Sequence, residues 1–368
     1  MSAFKIITVL FSISFLVFSC KKDTPYFGEF DKKTMLKNLA EEIYLKNYNN
    51  FNQQIQLLKT SCTNFTNTPN QVNLENLQNN WKTAVLNWQL CRAGNQGDIE
   101  ENYLHNKIET RPHNALFIEN NINSSDIISS NYLDTKGSSS KGFGAIEYLI
   151  FDAQNNNQVV LDSFILGINH TRRKEYLEAC VDNNIEKAIL LEQEWTDYKP
   201  VYISKTSNDI EGSTSKALNR LVSIIENLYV KKTGKPIGLN DDQLPHPELV
   251  EAPLSKTSLD LIKQDLIISY NMFFIPDNEN LLSMNDYIDF LGVKYGDIKL
   301  TEAIKNKYNE INQIIDNLPS LSLHDLVTAN YHQISNLNQK LNELLILFKL
   351  DVASSMQITI LLNDTDGD

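Results

Sequence analysis

Apolar residues recur along this chain at intervals of three and four, the spacing that lines one face of an α-helix. Leu36, Leu39, Ile43, Tyr44, Tyr48, Phe51, Ile55 and Leu58 predict one long helix, broken in register only by the adjacent pair at 43 and 44. Asn67-Thr-Pro-Asn70 ends it. Leu74, Leu77, Trp81, Ala84, Val85 and Trp88 predict a second, whose two tryptophans on one stripe read as core because they bury so much area. Asp98-Ile-Glu-Glu101 reads as a capping box, opening a helix that cannot pass Arg111-Pro112. Tyr176, Leu177, Cys180, Ile185, Ala188, Leu191 and Trp195 mark another long helix. A second half begins near Gly212. Leu218, Leu221, Val222, Ile225 and Leu228 form a helix there, which Lys231-Lys-Thr-Gly-Lys-Pro236 should close, with cations in the last turn, Gly just past it and Pro beyond. Helices around Leu261–Tyr270, Ile304–Ile315 and Leu326–Phe348 complete the pattern, and only Gln357 to Leu362 reads as extended. The expected fold is all-α, with a helical domain over 31–205 and another over 206–368 ending in the extended tail.

The first residues follow a different pattern. Lys5 precedes an apolar run from Ile6 to Phe18, too short to span a bilayer of about 30 Å, and Ser19-Cys20 ends it. A small residue directly before Cys resembles the lipobox of bacterial lipoproteins. On that reading residues 1–19 are a signal peptide, Cys20 carries the lipid that anchors the protein to a membrane, and residues 20–30 are a polar tether. The alternative is an ordinary secretory signal with Cys20 incidental.

Charge and cysteines narrow the function. The formal net charge of −13 over 368 residues disfavours phosphate backbones, so no nucleic-acid partner is expected. The other cysteines, Cys62, Cys91 and Cys180, form no Cys-x-x-Cys and sit at apolar helical positions, which suits small core residues.

Candidate chemistry centres on Lys141-Gly-Phe-Gly-Ala-Ile-Glu147-Tyr-Leu-Ile-Phe-Asp152, a short apolar segment carrying the carboxylate of Glu147. Positions 144 and 147 share a helical face and could hold two metal ligands, but position 144 is Gly. Glu101 and His105, four apart on the helix predicted from Asp98, could share a cation, though a helix cap and a surface histidine is the simpler reading. His113 lies in the turn after Arg111-Pro112 and could stand in for a ligand at 144 if the fold brings it near. Ser255 and Ser258 precede a helix opened by Asp260, where serines cap more readily than they attack a substrate.

Gly142, Glu147, Tyr148 and Leu149 resemble the imelysin signature Gly-x-His-x-x-Glu, with Gly144 standing where the family has His. Other stretches are similar in the family's order: the paired-Trp helix, Thr110-Arg-Pro-His-Asn114, Arg173-Lys-Glu-Tyr-Leu177, Gly234-Lys-Pro-Ile-Gly238, Ser255-x-x-Ser258 and the terminal Asp366-Gly-Asp368. The resemblance implies an all-α fold of two bundle-like domains with a site at their interface, and a cell-envelope location, here a lipid-anchored protein of the outer membrane. It implies iron, an iron complex or another divalent cation as ligand. Glu147 is then the metal-ligating residue, and Arg111, His113, Ser255 and Ser258 are the ligand-binding candidates. The family was first classed with metallopeptidases. Loss of the motif His and the lack of His-Glu-x-x-His argue against an enzyme here, since a catalytic metal takes about three protein ligands. A scaffold without a working site is the remaining alternative.

Overall fold

The computed structural model describes residues 28–239, 241–276 and 280–361. Cys20, the signal segment and the acidic end at 362–368 lie outside the described residues. Within them the chain is all-α apart from one antiparallel pair of two-residue strands, Lys294–Tyr295 and Ile298–Lys299. No helix among the described residues is long and apolar enough to cross a membrane.

Helices α1 (Lys46–Asn67) and α2 (Gln71–Cys91) form an antiparallel hairpin, turned at Thr68-Pro69-Asn70, where the Asn70 side chain accepts from the Asn73 N–H at 2.9 Å. A buried helix α3 (Gly142–Ile150) packs on α2, and α4 (His170–Ser204) runs the length of α1. Tyr48, Phe51, Trp81, Phe143 and Trp195 are wholly buried between them. Each such side chain contributes roughly 1.5–3 kcal/mol by leaving water. The indole N–H groups have partners: Trp81 donates to the Phe143 carbonyl at 3.2 Å and Trp195 to that of Gly94 at 2.6 Å.

The second half supplies α5 (Ser213–Asn227), α6 (Ser258–Phe274), α7 (Leu300–Asp316) and α8 (Tyr331–Ile346). Helix α6 lies against α2, and the chain from Asp31 onward packs as one compact unit. The helices meet a break between Ser204 and Ser213, but that break does not divide the chain from Asp31 onward into separate units.

Three local expectations are corrected. The helix from Leu36 to Leu58 is not uniformly α: Leu39–Leu45 is π-helical, and the wider turn lets adjacent Ile43 and Tyr44 both face the core. The Asp98 capping box does not form. Gly97 is the N-cap with no side-chain cap, and the helix breaks at Tyr103, which is left-handed (φ 51°), before resuming at Leu104–Ile108. The stop at Lys231–Pro236 is displaced too. A π-helical turn, Leu228–Gly234, carries the chain on, and the left-handed residue is Gly238 (φ 67°), not Gly234. The three lower cysteines are free and buried, as their apolar positions predict.

Candidate functional site

Helix α3 is placed by its glycines. Gly142 has φ +70°, and a Cβ there would lie 2.1 Å from the Ile108 carbonyl oxygen, so only Gly permits this entry to the helix. Gly144 faces the following turn of the same strap: its Cβ would lie 3.1 Å from the Thr110 oxygen and 3.4 Å from His113 Cβ. The space left by the motif histidine is thus closed by the Thr110–His113 backbone rather than open to a ligand. His113 is half-buried against the Tyr148 ring, centroids 5.3 Å apart, and burial holds its imidazole below the usual range.

Glu147 is fully buried. Its Oε1 accepts from the Ser255 N–H at 2.8 Å and the Ser255 hydroxyl at 2.7 Å, and its Oε2 pairs with Arg111 Nη1. The Ser255 hydroxyl, having donated to Glu147, accepts from Thr257 at 2.7 Å. The helix cap expected of these serines does not form: the N-cap is Thr257 with no side-chain cap, and the Ser258 hydroxyl instead accepts from the Ala252 N–H at 3.0 Å. The carboxylate thus joins α3 of the first half to the loop before α6 of the second.

Arg111 continues the chain of charges. Its Nε donates to Glu109 at 2.7 Å and its Nη1 also reaches the Glu251 carbonyl at 3.1 Å. The Glu251 carboxylate pairs with Lys232 at 2.6 Å, Lys232 with Asp265 at 2.8 Å, and Asp265 with Arg92 at 3.2 Å. Gln89 bridges the row, accepting from Arg92 at 3.3 Å and Lys232 at 3.4 Å. Four carboxylates and three cations therefore alternate through the seam. Burial opposes the charge on Arg111, but Glu147, Glu109 and Glu251 hold it well above the ordinary guanidinium range. Burial raises Glu109 despite Arg111, whereas Lys232 and the two arginines overcome burial and hold Glu251 low.

The network floors a cleft of about 1020 Å³ between the halves. Trp88, Arg92, Glu100, Glu101 and Arg111 line it from the first half, and Lys216, Arg220, Lys232 and Glu251 from the second. Of the residues predicted from sequence, Arg111 reaches the cleft, while Glu147, His113, Ser255 and Ser258 do not line it.

A metal ion does not fit at Glu147. Everything converging on that carboxylate is a hydrogen-bond donor, a guanidinium and a serine N–H and O–H, where a cation needs further oxygen or nitrogen acceptors. Among the described residues one group of His, Cys, Asp or Glu side chains has three ligand atoms close enough to share an ion, Asp241, Asp242 and His246, and it excludes Glu147. The surface histidine expected at 105 is instead buried, its Nε2 2.8 Å from the Tyr48 hydroxyl, while Glu101 is exposed, so the two share no cation.

An all-α protein whose two helical sets enclose a polar cleft above a buried Arg–Glu pair is the class that fold and site define. The chain belongs to the imelysin family, whose sequence profile matches residues 44–346. Two solved structures share the fold. One is an imelysin-like protein from Psychrobacter arcticum 273-4, with TM-score 0.72 and 16% identity over 90% of this chain and 97% of that one. The other, from Parabacteroides distasonis ATCC 8503, is described as an iron-regulated protein A precursor; it has TM-score 0.70 and 14% identity over 89% of this chain and 95% of that one. No curated protein matches the chain significantly.

Proposed function

We propose that this protein is a cell-envelope binding protein, lipid-anchored through Cys20, that takes an iron complex in the cleft between its two helical halves. The cleft carries the reading. Its volume, about 1020 Å³, suits a small-molecule complex better than a bare ion, and both halves contribute to its walls. Its lining mixes both signs from both halves, Glu100, Glu101, Arg92 and Arg111 with Lys216, Arg220, Glu211 and Glu251, so a ligand that itself carries both signs of charge meets partners there. The Parabacteroides distasonis relative is described as iron-regulated, which links that protein to iron without naming a ligand, and iron is the centre proposed here. A metallopeptidase reading finds no catalytic metal site in the cleft: among the described residues the one three-ligand group, Asp241, Asp242 and His246, does not line it.

Titration calorimetry of the protein from Phe30 onward with ferric citrate and with ferrous and ferric ions should give saturable heat for the complex. Absence of heat with every iron form, at concentrations up to about 1 mM, would reject the reading. For the anchor, palmitate label should enter the full chain and be lost on Cys20→Ser; label retained by that variant would remove the lipid from the proposal.

A further inference from the structure

Helix α5 presents two faces. Leu218, Leu221, Val222 and Ile225 are buried, as the apolar period predicts. The other face contributes Lys216, Asn219, Arg220, Ser223 and Asn227 to the cleft, at steps of three, one, three and four, and Lys231 extends the row into the π-helical turn. That wall is neutral or cationic throughout. The one acid within α5, Glu226, lies on another face and is ion-paired to Lys349. In a chain of net charge −13, this helix face turns no carboxylate into the cleft, although Glu211, Glu248 and Glu251 line it from neighbouring segments.

Arg220 stands in the middle of it. Its Nε donates to the Arg92 carbonyl at 2.6 Å, which fixes the guanidinium at the cleft edge. Among the described residues it makes no ion pair; burial, then the Arg92 charge, push it down to about 10, with Glu100 and Asp265 acting more weakly the other way. Lys216 beside it meets only the exposed Glu211, at 3.8 Å. A partly buried arginine held by one nitrogen, next to another arginine, leaves its remaining N–H groups to whatever enters the cleft.

We infer that the α5 wall is a carboxylate-recognition surface, with Arg220 as its bidentate anchor and Lys216 as its outer cation, and that the ligand presents a polycarboxylate to it. The inference rests on the cleft being the binding site but does not need iron. An incoming carboxylate would supply the Arg220 guanidinium, held by one nitrogen at the cleft, with the two parallel acceptors its fork geometry takes.

The probe is metal-free citrate, titrated calorimetrically into the folded protein, with ferric citrate in parallel and inorganic phosphate as a non-carboxylate anion. Citrate should bind, with phosphate weaker, and Arg220→Gln should weaken citrate by about tenfold to a hundredfold, the usual loss of a charge-assisted bond. Should Arg220→Gln fold poorly, Lys216→Gln and Ser223→Glu decide the matter. The first should weaken citrate, and the second should abolish binding by placing a carboxylate on the wall. Lys299→Gln, on the exposed strand pair, should change nothing. Citrate affinity unchanged in all three cleft variants, or no citrate binding while an iron form binds in the cleft, overturns the inference but leaves the proposed function standing. Citrate binding that depends on Arg220, with no binding of ferric citrate, overturns the iron reading and leaves the inference intact.

Discussion

Arg111 and Glu147, 36 residues apart in the chain, form a buried ion pair in the seam between the two helical halves. The arginine comes from the strap before Pro112 and the glutamate from helix α3, and Ser255 of the second half closes the second oxygen of the same carboxylate. The motif glutamate therefore works as an acceptor for donors arriving from both halves.

Removing that acceptor should unfold the seam. Glu147→Ala leaves Arg111 with Glu109 and the Glu251 carbonyl but without its closest counter-charge, and leaves the Ser255 N–H without a partner, so a loss of about 3–5 kcal/mol is expected in urea denaturation. Glu147→Gln is not a mild control, because an amide has one acceptor oxygen and the site offers donors on both sides. If Glu147→Gln kept wild-type stability and lost only iron binding, the carboxylate would be a ligand and not the structural acceptor described above.

How much of this was legible in sequence follows from what each residue reports locally. The apolar stripes of α1, α2, α4 and α5 were readable because burial against a neighbouring helix leaves a period in the chain. The adjacent Ile43 and Tyr44 even carried the trace of the π-turn that seats them. Arg111, Glu147 and Ser255 were singled out through their motif, and the fold brings all three together. Lys232 could not be: in sequence it looks like an ordinary cation at a helix C-terminus, and only the π-helical turn places it between Glu251 and Asp265. Arg92, Glu109 and Asp265 likewise carry no local sign of burial, because their partners lie on other elements. The basic face of α5 was present all along as the complement of its apolar stripe, and could have been found by reading the polar positions for their own period.

Restoring the family histidine should not restore a metal site. At Gly144 a Cβ meets the Thr110 carbonyl oxygen at 3.1 Å and His113 Cβ at 3.4 Å. The first of these is backbone in the strap that positions Arg111. Gly144→His is expected to cost about 1–3 kcal/mol as overpacking, and to bind ferrous or zinc ions no better than wild type in calorimetry. Gained metal affinity would show that the strap moves aside and the pocket is intact beneath it.

Acid should weaken the protein through His105. The imidazole is buried beside Trp88 and Tyr48, and burial, then Arg220 and Arg92, hold it well below its ordinary value of 6.5. A histidine whose folded pKa is depressed contributes stability above its unfolded pKa and loses it as pH falls, since the unfolded chain takes the proton first. Below about pH 6.5 the loss should approach about 1.4 kcal/mol per pH unit. Denaturation midpoints measured between pH 7.5 and 5.5 should show this slope, and His105→Gln should flatten it. An equal slope in the variant would assign the acid sensitivity elsewhere.

Lys232 offers the sharpest view of the charge row. Lys232→Met removes the cation that Glu251 and Asp265 share, leaving Asp265 to Arg92 and the Glu251 carboxylate without its close partner. At pH 7 two buried carboxylates then face one another across an apolar side chain, and about 3–5 kcal/mol should be lost. The penalty should shrink on acidification. In the native protein Lys232 is the main charge holding Glu251 below its usual range, so Glu251 contributes stability that is present above pH 4.5 and lost below it. Without Lys232 the Glu251 carboxyl rises and takes a proton more readily on acidification than in the wild-type protein, which still holds its ion pair. The stability difference between wild type and Lys232→Met should therefore be larger at pH 7 than at pH 5. A difference that stayed constant would mean that the methionine is tolerated or rejected for its shape, and that the alternating charges do not act as a unit.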